Sequence, residues 1–274
     1  MWYDIHVGRL MGRHFLADKR EDGAMSIIQT FYDGMATQYD KLFQDWQAST
    51  REQAVLLDKL LRDRGFGPER PLLDCACGIG TQAIGLAALG YDVTASDISH
   101  GELAEAKKRA EENGVAIRFE RADFCALSET FSDAFPIIIC MDNALPHMLT
   151  HEDLARAIGS ITGQLAESGL FIASIRDYDD LLTRRPPYSP PYIHKTGSGQ
   201  RVSFQTWDLE GDIYSLTQYI IDDGATLQTG KFQCAYRATR REELTELLAE
   251  QGCQAEWLFP EETGFYQPIV VAKK

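Results

Sequence analysis

Short apolar runs alternate with amphipathic stretches from about Pro71 to Ile175, and this alternation decides the fold class. Leu72-Leu73-Asp74-Cys75 is a short apolar run that breaks into Gly78-Ile79-Gly80. Thr81 to Leu89 has helical character and stops at Gly90, and Tyr91 to Asp97 reads as a second strand. Ser99-x-x-Glu102 predicts a capping box opening a helix with Leu103, Ala106 and Ala110 on its apolar stripe, closed by Asn113-Gly114. Ile117 and Phe119 alternate with Arg118 and Glu120 in a third strand ending at Asp123. Pro136 to Met141 is apolar throughout, as a strand covered on both faces must be. A helix is expected from about His151 to Leu165 and a fifth strand from Leu170 to Ile175. Strand–helix alternation of this length implies a doubly wound, mostly parallel α/β sheet.

The flanks follow other rules. Residues 1–24 mix charges without a period and are expected to be an upstream extension or loosely held arm. From Ile27 to Trp46 aromatics recur among polar residues, and Ala54, Leu56-Leu57 and Leu60-Leu61 then predict a helix ending near Arg64-Gly65. Pro186-Pro187 and Pro190-Pro191 read as a rigid linker, after which Val202–Trp207, Ile213–Ile221 and Thr226–Tyr236 read as strands of an antiparallel meander. Glu210-Gly211-Asp212 and Asp223-Gly224 supply its turns. Thr239-x-x-Glu242 is expected to cap a helix ended by Gly252, before two final strands around Ala255–Phe259 and Phe265–Ala272. The division is therefore an arm 1–24, a helical lid 25–66, a core 67–183 plus 238–274, and a β insertion 184–237 over the site.

Charge narrows the partners. The 27 basic and 41 acidic side chains give a net charge of −14, which opposes nucleic acid and anionic membrane surfaces. No run approaches the length of a membrane span, and the N-terminal stretch lacks a signal-like apolar segment. The six cysteines contain no CxxC and no metal spacing with histidine, so no metal is expected. They read as buried thiols of a reducing cytosol, with Cys75-x-Cys77 the one pair placed for other chemistry.

Candidate chemistry begins at Gly78-Ile-Gly80, between a strand and a helix, where glycines let a ligand approach the backbone. Asp97, nineteen residues after Gly78, ends the second strand and can accept from a ribose diol. Gly78-x-Gly80-x-x-Ala83 would also suit a dinucleotide. Asp74 tilts the choice away from the dinucleotide: a carboxylate four residues before the first glycine repels a diphosphate but not a cofactor with an ammonium and a sulfonium, and a nicotinamide-dependent dehydrogenase stays as a rival.

The stretch Leu72-Leu-Asp-Cys-Ala-Cys-Gly-Ile-Gly-Thr81 resembles motif I of the class I S-adenosylmethionine-dependent methyltransferases, and Ala122-Asp123-Phe124 resembles their adenine-contacting motif. Cys140-Met-Asp-Asn143-Ala-Leu-Pro-His147 and Arg176-Asp-Tyr178-Asp179 are similar to stretches of the glycine and glycine/sarcosine N-methyltransferases. The resemblance implies a Rossmann-like seven-stranded sheet, the meander inserted after strand five, and S-adenosylmethionine as methyl donor. It implies cofactor contacts from Tyr32, Tyr39, Arg51, Asp74, Ala76, Gly78, Gly80, Asp97, Ile98, Asp123, Phe124, Met141 and His147, with Arg51 on the methionine carboxylate. It implies acceptor contacts from Asn143, Arg176, Tyr178, Tyr192, Tyr219 and Tyr236, the first two on a carboxylate.

Read from the residues alone, these positions have plainer alternatives. Arg176 can pair with Asp177, Asp179 or Asp180; Asn143 can cap the turn before Pro146; His147 can be a structural hydrogen-bonder; and the tyrosines can be packing. Asp142 stands where the resembled family carries glycine, so it either attracts a cationic amine or faces solvent. Methyl transfer is an in-line displacement that needs positioning, so no side chain is expected to be essential as a catalyst. The expected function is small-molecule N-methylation of an amino acid or small amine. Its rivals are O-methylation in secondary metabolism, and a non-catalytic cofactor-binding protein with an apolar patch over the meander.

Overall fold

The computed structural model describes residues 27–197 and 199–274, and the expected arm 1–24 lies outside them. A seven-stranded sheet forms from β1 (Leu72–Asp74), β2 (Val93–Asp97), β3 (Arg118–Arg121), β4 (Phe135–Cys140), β5 (Leu165–Ser174), β10 (Gln254–Leu258) and β11 (Ile269–Lys273). Their order is β10-β11-β5-β4-β1-β2-β3, and only β11 runs against its neighbours. The doubly wound sheet expected from the alternation is therefore the observed one. The strand order reverses between β1 and β4, the crevice in which open α/β sheets place ligands.

Helices cover both faces: α1 (Ile27–Met35), α2 (Trp46–Arg62), α3 (Thr81–Ala88), α4 (His100–Glu112), α5 (His151–Gly163), α6 (Tyr178–Arg184), α7 (Arg241–Glu250) and the short α8 (Pro260–Thr263). Asp45 caps α2 by accepting from the Ala48 amide at 2.9 Å, and Trp46, Ala54, Leu57 and Leu61 form its buried stripe. Between α1 and α2 the chain runs through a 3-10 stretch, Ala36–Leu42.

Two capping expectations need correction. Ser99 does accept from the Glu102 amide at 3.1 Å, but the Ser99 amide donates to Asp97 instead of Glu102, so only half of the box forms. At α7 the N-cap is Arg240 without a side-chain cap, and Thr239 turns back toward the Arg237 carbonyl.

The insertion has four strands rather than three: β6 (Tyr192–Thr196), β7 (Gly199–Glu210), β8 (Ile213–Asp223) and β9 (Leu227–Arg237), all antiparallel. β6, for which the sequence pattern predicts no strand, follows directly on Pro190-Pro191; an edge strand tolerates proline at its start. Alternate residues of β8, namely Tyr214, Leu216, Gln218 and Ile220, are buried. Tyr214, Leu216, Cys234 and Tyr236 belong to the same apolar cluster as Phe171 and Ala173 of β5. The insertion thus shares a core with the sheet, and the six cysteines are free and buried.

Candidate active site

β4 leaves the sheet through two consecutive non-glycine residues in the left-handed region, Asp142 at φ 56° and Asn143 at φ 71°. Each such residue costs about 1–3 kcal/mol and persists only where its surroundings hold it. Here the Asp142 amide donates to Ser174 Oγ at 2.8 Å and the Asn143 amide to the Ser174 carbonyl at 3.0 Å. Asn143 Oδ1 in turn accepts from the Arg176 amide at 3.0 Å and from Tyr178 Oη at 2.9 Å. The exits of β4 and β5 are locked together, and Asn143 Nδ2 is left buried without a partner.

Arg176 projects from the β5 exit. Its guanidinium donates to Tyr214 Oη at 3.2 Å and to Gln205 Oε1 at 3.0 Å, and lies 5.5 Å from the Trp207 ring centroid and 5.6 Å from that of Tyr236. The ion pairs weighed for it go elsewhere. Asp177 pairs with Arg241 at 2.6 Å, Asp179 with Arg241 at 3.2 Å, and Asp180 with Arg184. Among the described residues no carboxylate ion pair reaches Arg176, so its partners there are neutral acceptors and ring faces.

Both exits open into a cavity of about 610 Å³. Tyr32, Tyr39 and Phe43 wall it from the N-terminal side, Gln205 and Trp207 from the insertion, and Tyr266 from the loop before β11. Asp142 lines the cavity rather than facing bulk solvent; its carboxylate accepts from Tyr266 Oη at 2.7 Å and from Gln82 Nε2 at 2.8 Å. Burial raises its pKa above the usual carboxylate range.

The glycine loop is not part of this cavity's lining; Gln82 of the helix it opens reaches the cavity through Asp142. Gly78 and Gly80 adopt φ 52° and 89°, conformations that favour glycine. Asp97 accepts from the Gly78 amide and from the Ser99 amide, both at 2.9 Å. Asp74 is fully buried, Oδ1 receives only a 3.4 Å contact from the Ala76 amide, and Oδ2 has no partner. Burial, with Asp97 and Asp142 nearby, pushes its carboxyl up to about 8. A carboxylate so poor in partners suits a cationic group and rejects a diphosphate.

Several expected site residues sit elsewhere. Arg51 is exposed, a quarter-turn off the buried stripe of α2, and does not line the cavity. Tyr219 has the opposite parity to the buried row of β8; it stacks on Phe204, its cross-strand partner, at 4.9 Å. Tyr214, missed in the sequence, occupies the buried row instead, with its hydroxyl 2.7 Å from that of Tyr178. Counting strand parity back from Tyr236, its cross-strand partner, would have found it. Tyr192 is 62% exposed, at the cavity rim. His147 accepts or donates across 2.8 Å to Tyr32 Oη and packs on the Tyr236 ring at 4.1 Å. Burial lowers its pKa to about 3, so it is a neutral structural partner rather than a proton carrier. Met141 is buried in the core, and Asp123 accepts from the Cys125 amide at 2.8 Å. Ala76, Ile98 and Phe124 are partly buried.

Residues 72–169 match the family model described as a methyltransferase domain. The glycine/sarcosine N-methyltransferase of Halorhodospira halochloris is 26% identical over 226 residues, covering 82% of this chain and 80% of that protein. That of Parasynechococcus marenigrum (strain WH8102) is 29% identical over 154 residues, covering 56% of this chain. The chain spans about half, 53%, of the latter relative's length. Among solved structures, an S-adenosylmethionine-dependent methyltransferase from Clostridium acetobutylicum ATCC 824 superposes with a TM-score of 0.69 at 19% identity, covering 88% of this chain and 98% of that one.

Proposed function

We propose that this chain, whose residues 72–169 match a methyltransferase-domain model and which resembles the glycine/sarcosine N-methyltransferases, is a class I S-adenosylmethionine-dependent enzyme that methylates the amine of a small amino-acid-like molecule. The observation that carries the reading is Arg176, a guanidinium facing the cavity with only neutral acceptors and ring faces, beside the unpartnered Asn143 Nδ2. A guanidinium fork and an amide donor together suit a carboxylate. Asp142 supplies the opposite charge in the same cavity, as a zwitterionic acceptor requires.

When bound, S-adenosylmethionine supplies an electrophilic methyl carbon on a sulfonium. Asp74 fits the ammonium of its methionine part, Gly78 and Gly80 let its backbone-facing edge approach, and Asp97 fits its ribose. On the acceptor side, Arg176 and Asn143 hold the carboxylate, while Asp142 and Tyr266 orient the amine. Tyr32, Tyr39 and Trp207 exclude water, which favours a positive charge that is spreading out in the transition state. Fixing both partners in line can lower the barrier by about 7–11 kcal/mol, so positioning suffices without a covalent intermediate.

The cavity between lid, sheet and insertion argues against a purely partner-binding role, which called for an apolar patch over the meander. The test is turnover with labelled cofactor against a panel of amino acids, amines, hydroxy acids and phenols, with products identified by mass and fragmentation. Methylation at nitrogen of an α-amino acid supports the reading; methylation only at oxygen, or none, overturns it.

A further inference from the structure

Glu102 is the one half of the expected capping box that the fold does not use. It stands one turn into α4, fully buried, and neither carboxylate oxygen has a hydrogen-bond partner. The Ser99 amide it would cap is taken by Asp97 at 2.9 Å. The Ser99 hydroxyl and the Gly101 amide, also near this end of the helix, are both taken by Asp33 of α1, the amide at 2.8 Å. Of the basic residues further along α4, Arg109 pairs with Asp40 at 3.5 Å and Glu105 at 3.7 Å and lies 4.6 Å from the Trp46 ring centroid; its charge is felt at Glu102, but no ion pair joins the two. Glu102 borders the glycine loop: its Oε2 lies 3.4 Å from where a side chain on Gly78 would begin.

A buried carboxylate without partners is expensive, so a fold retains one where something else satisfies it. The neighbouring acids do not gather as a metal site; no cluster of metal-ligating side chains occurs among the described residues. What the corner lacks is donors. Asp97 and Glu102 flank Gly78 as two acceptors, and Asp97 has already given one oxygen to each of two backbone amides. A neutral ligand with two adjacent hydroxyls complements such a pair.

We propose that Glu102 is a second ribose-binding residue, accepting one hydroxyl of the cofactor's ribose while Asp97 accepts the other. The inference rests on the class I cofactor reading of the glycine loop and adds to it a residue outside that loop. It gives the half-formed cap a reason: the glutamate is withheld from the helix end and spent on the ligand.

The test is calorimetric binding of S-adenosylhomocysteine and its 2′-deoxy and 3′-deoxy analogues, with melting temperatures of the ligand-free proteins. Wild type should prefer the parent ligand over each analogue by about tenfold to a hundredfold, the worth of a charged hydrogen bond. In Glu102→Met the preference should collapse to within about threefold for one hydroxyl and persist for the other, while Glu102→Gln retains part of it. Ligand-free Glu102→Met should melt about 2 °C or more higher, because a buried unpaired acid is gone. Equal loss of all three ligands, unchanged discrimination at both hydroxyls, or a lower melting temperature would each overturn the proposal, the last by making Glu102 a structural partner of Arg109. Failure of wild type to bind S-adenosylhomocysteine at all would instead remove the cofactor reading beneath it.

Discussion

Asn143 Oδ1 accepts the backbone amide of Arg176 at 3.0 Å, so the residue that fixes one strand exit also fixes the start of the other. One face of Asn143 is structural and the other, Nδ2, remains free for a ligand beside the guanidinium. The plain reading of Asn143 as a local cap and the reading of it as a carboxylate donor are therefore two halves of one side chain.

Arg176→Ala removes the cation without touching the Asp177–Arg241 pair. The Michaelis constant for a carboxylate-bearing acceptor should rise by about tenfold to a hundredfold, the equivalent of ~1.5–3 kcal/mol, with the dissociation constant of S-adenosylhomocysteine unchanged. Steady-state kinetics and calorimetry on the same preparation check this. Loss of both affinities together would make Arg176 a strut between Gln205 and Tyr214.

Asp74 predicts a pH dependence. Its carboxyl titrates near 8 when folded against 3.8 as an ordinary carboxyl, so between those values the folded state holds a proton that the unfolded state has lost. Stability of the ligand-free protein therefore falls as pH rises through that window. Asp97 and Asp142, also raised by burial, add to the slope. Asp74→Asn should flatten part of it and raise the melting temperature at pH 8.5. Binding of the cofactor's ammonium should release a proton from Asp74 near pH 7, seen as a binding enthalpy that varies with buffer ionisation, and Asp74→Asn should abolish this while weakening affinity by about tenfold or more.

Tyr32 joins the N-terminal helix to His147 and, at 3.5 Å, to Tyr236 of the insertion. Tyr32→Phe should cost about 0.5–1.5 kcal/mol of local stability, the net worth of one such bond. Faster amide exchange over residues 27–42, with exchange in β1 and β4 unchanged, is the expected signature.

The sheet was legible because its central strands β1, β4 and β5 carry apolar runs, while β3 at the edge shows a clear alternation. The insertion was legible only as strands: its function depends on which alternate residues face inward, and a shift of one residue moves a tyrosine to the other face. Tyr219 and Tyr214 show this, one outward on Phe204, the other sealed against Tyr178. Arg51 shows the helical equivalent: one position off a buried stripe, its side chain is exposed. The positions of Asp74, Gly78 and Asp97 were legible because they depend on strand ends, which apolar runs mark directly. Glu102 fitted a local rule so well that a capping box hid its other use.

Asp142 separates positioning from proton transfer. Its backbone sits at φ 56°, where glycine is unstrained and an acid is not, so Asp142→Gly relieves the backbone while removing the charge and the bonds to Gln82 and Tyr266. If the acid only orients the amine, the substitution should raise the acceptor's Michaelis constant about tenfold and lower kcat by less than about a hundredfold, because the methyl donor and the Arg176 contact remain. If the acid must take the ammonium proton before attack, kcat should fall far more, by ~10⁴-fold, and recover as pH approaches the amine's own pKa. The raised pKa of Asp142 sharpens the distinction, since a carboxyl already reluctant to ionise is better matched to receiving a proton than an exposed one. His147, whose pKa burial lowers to about 3, is too weak a base to substitute. The in-line displacement predicts the smaller loss with a flat pH profile, and a pH–rate series on Asp142→Gly decides it.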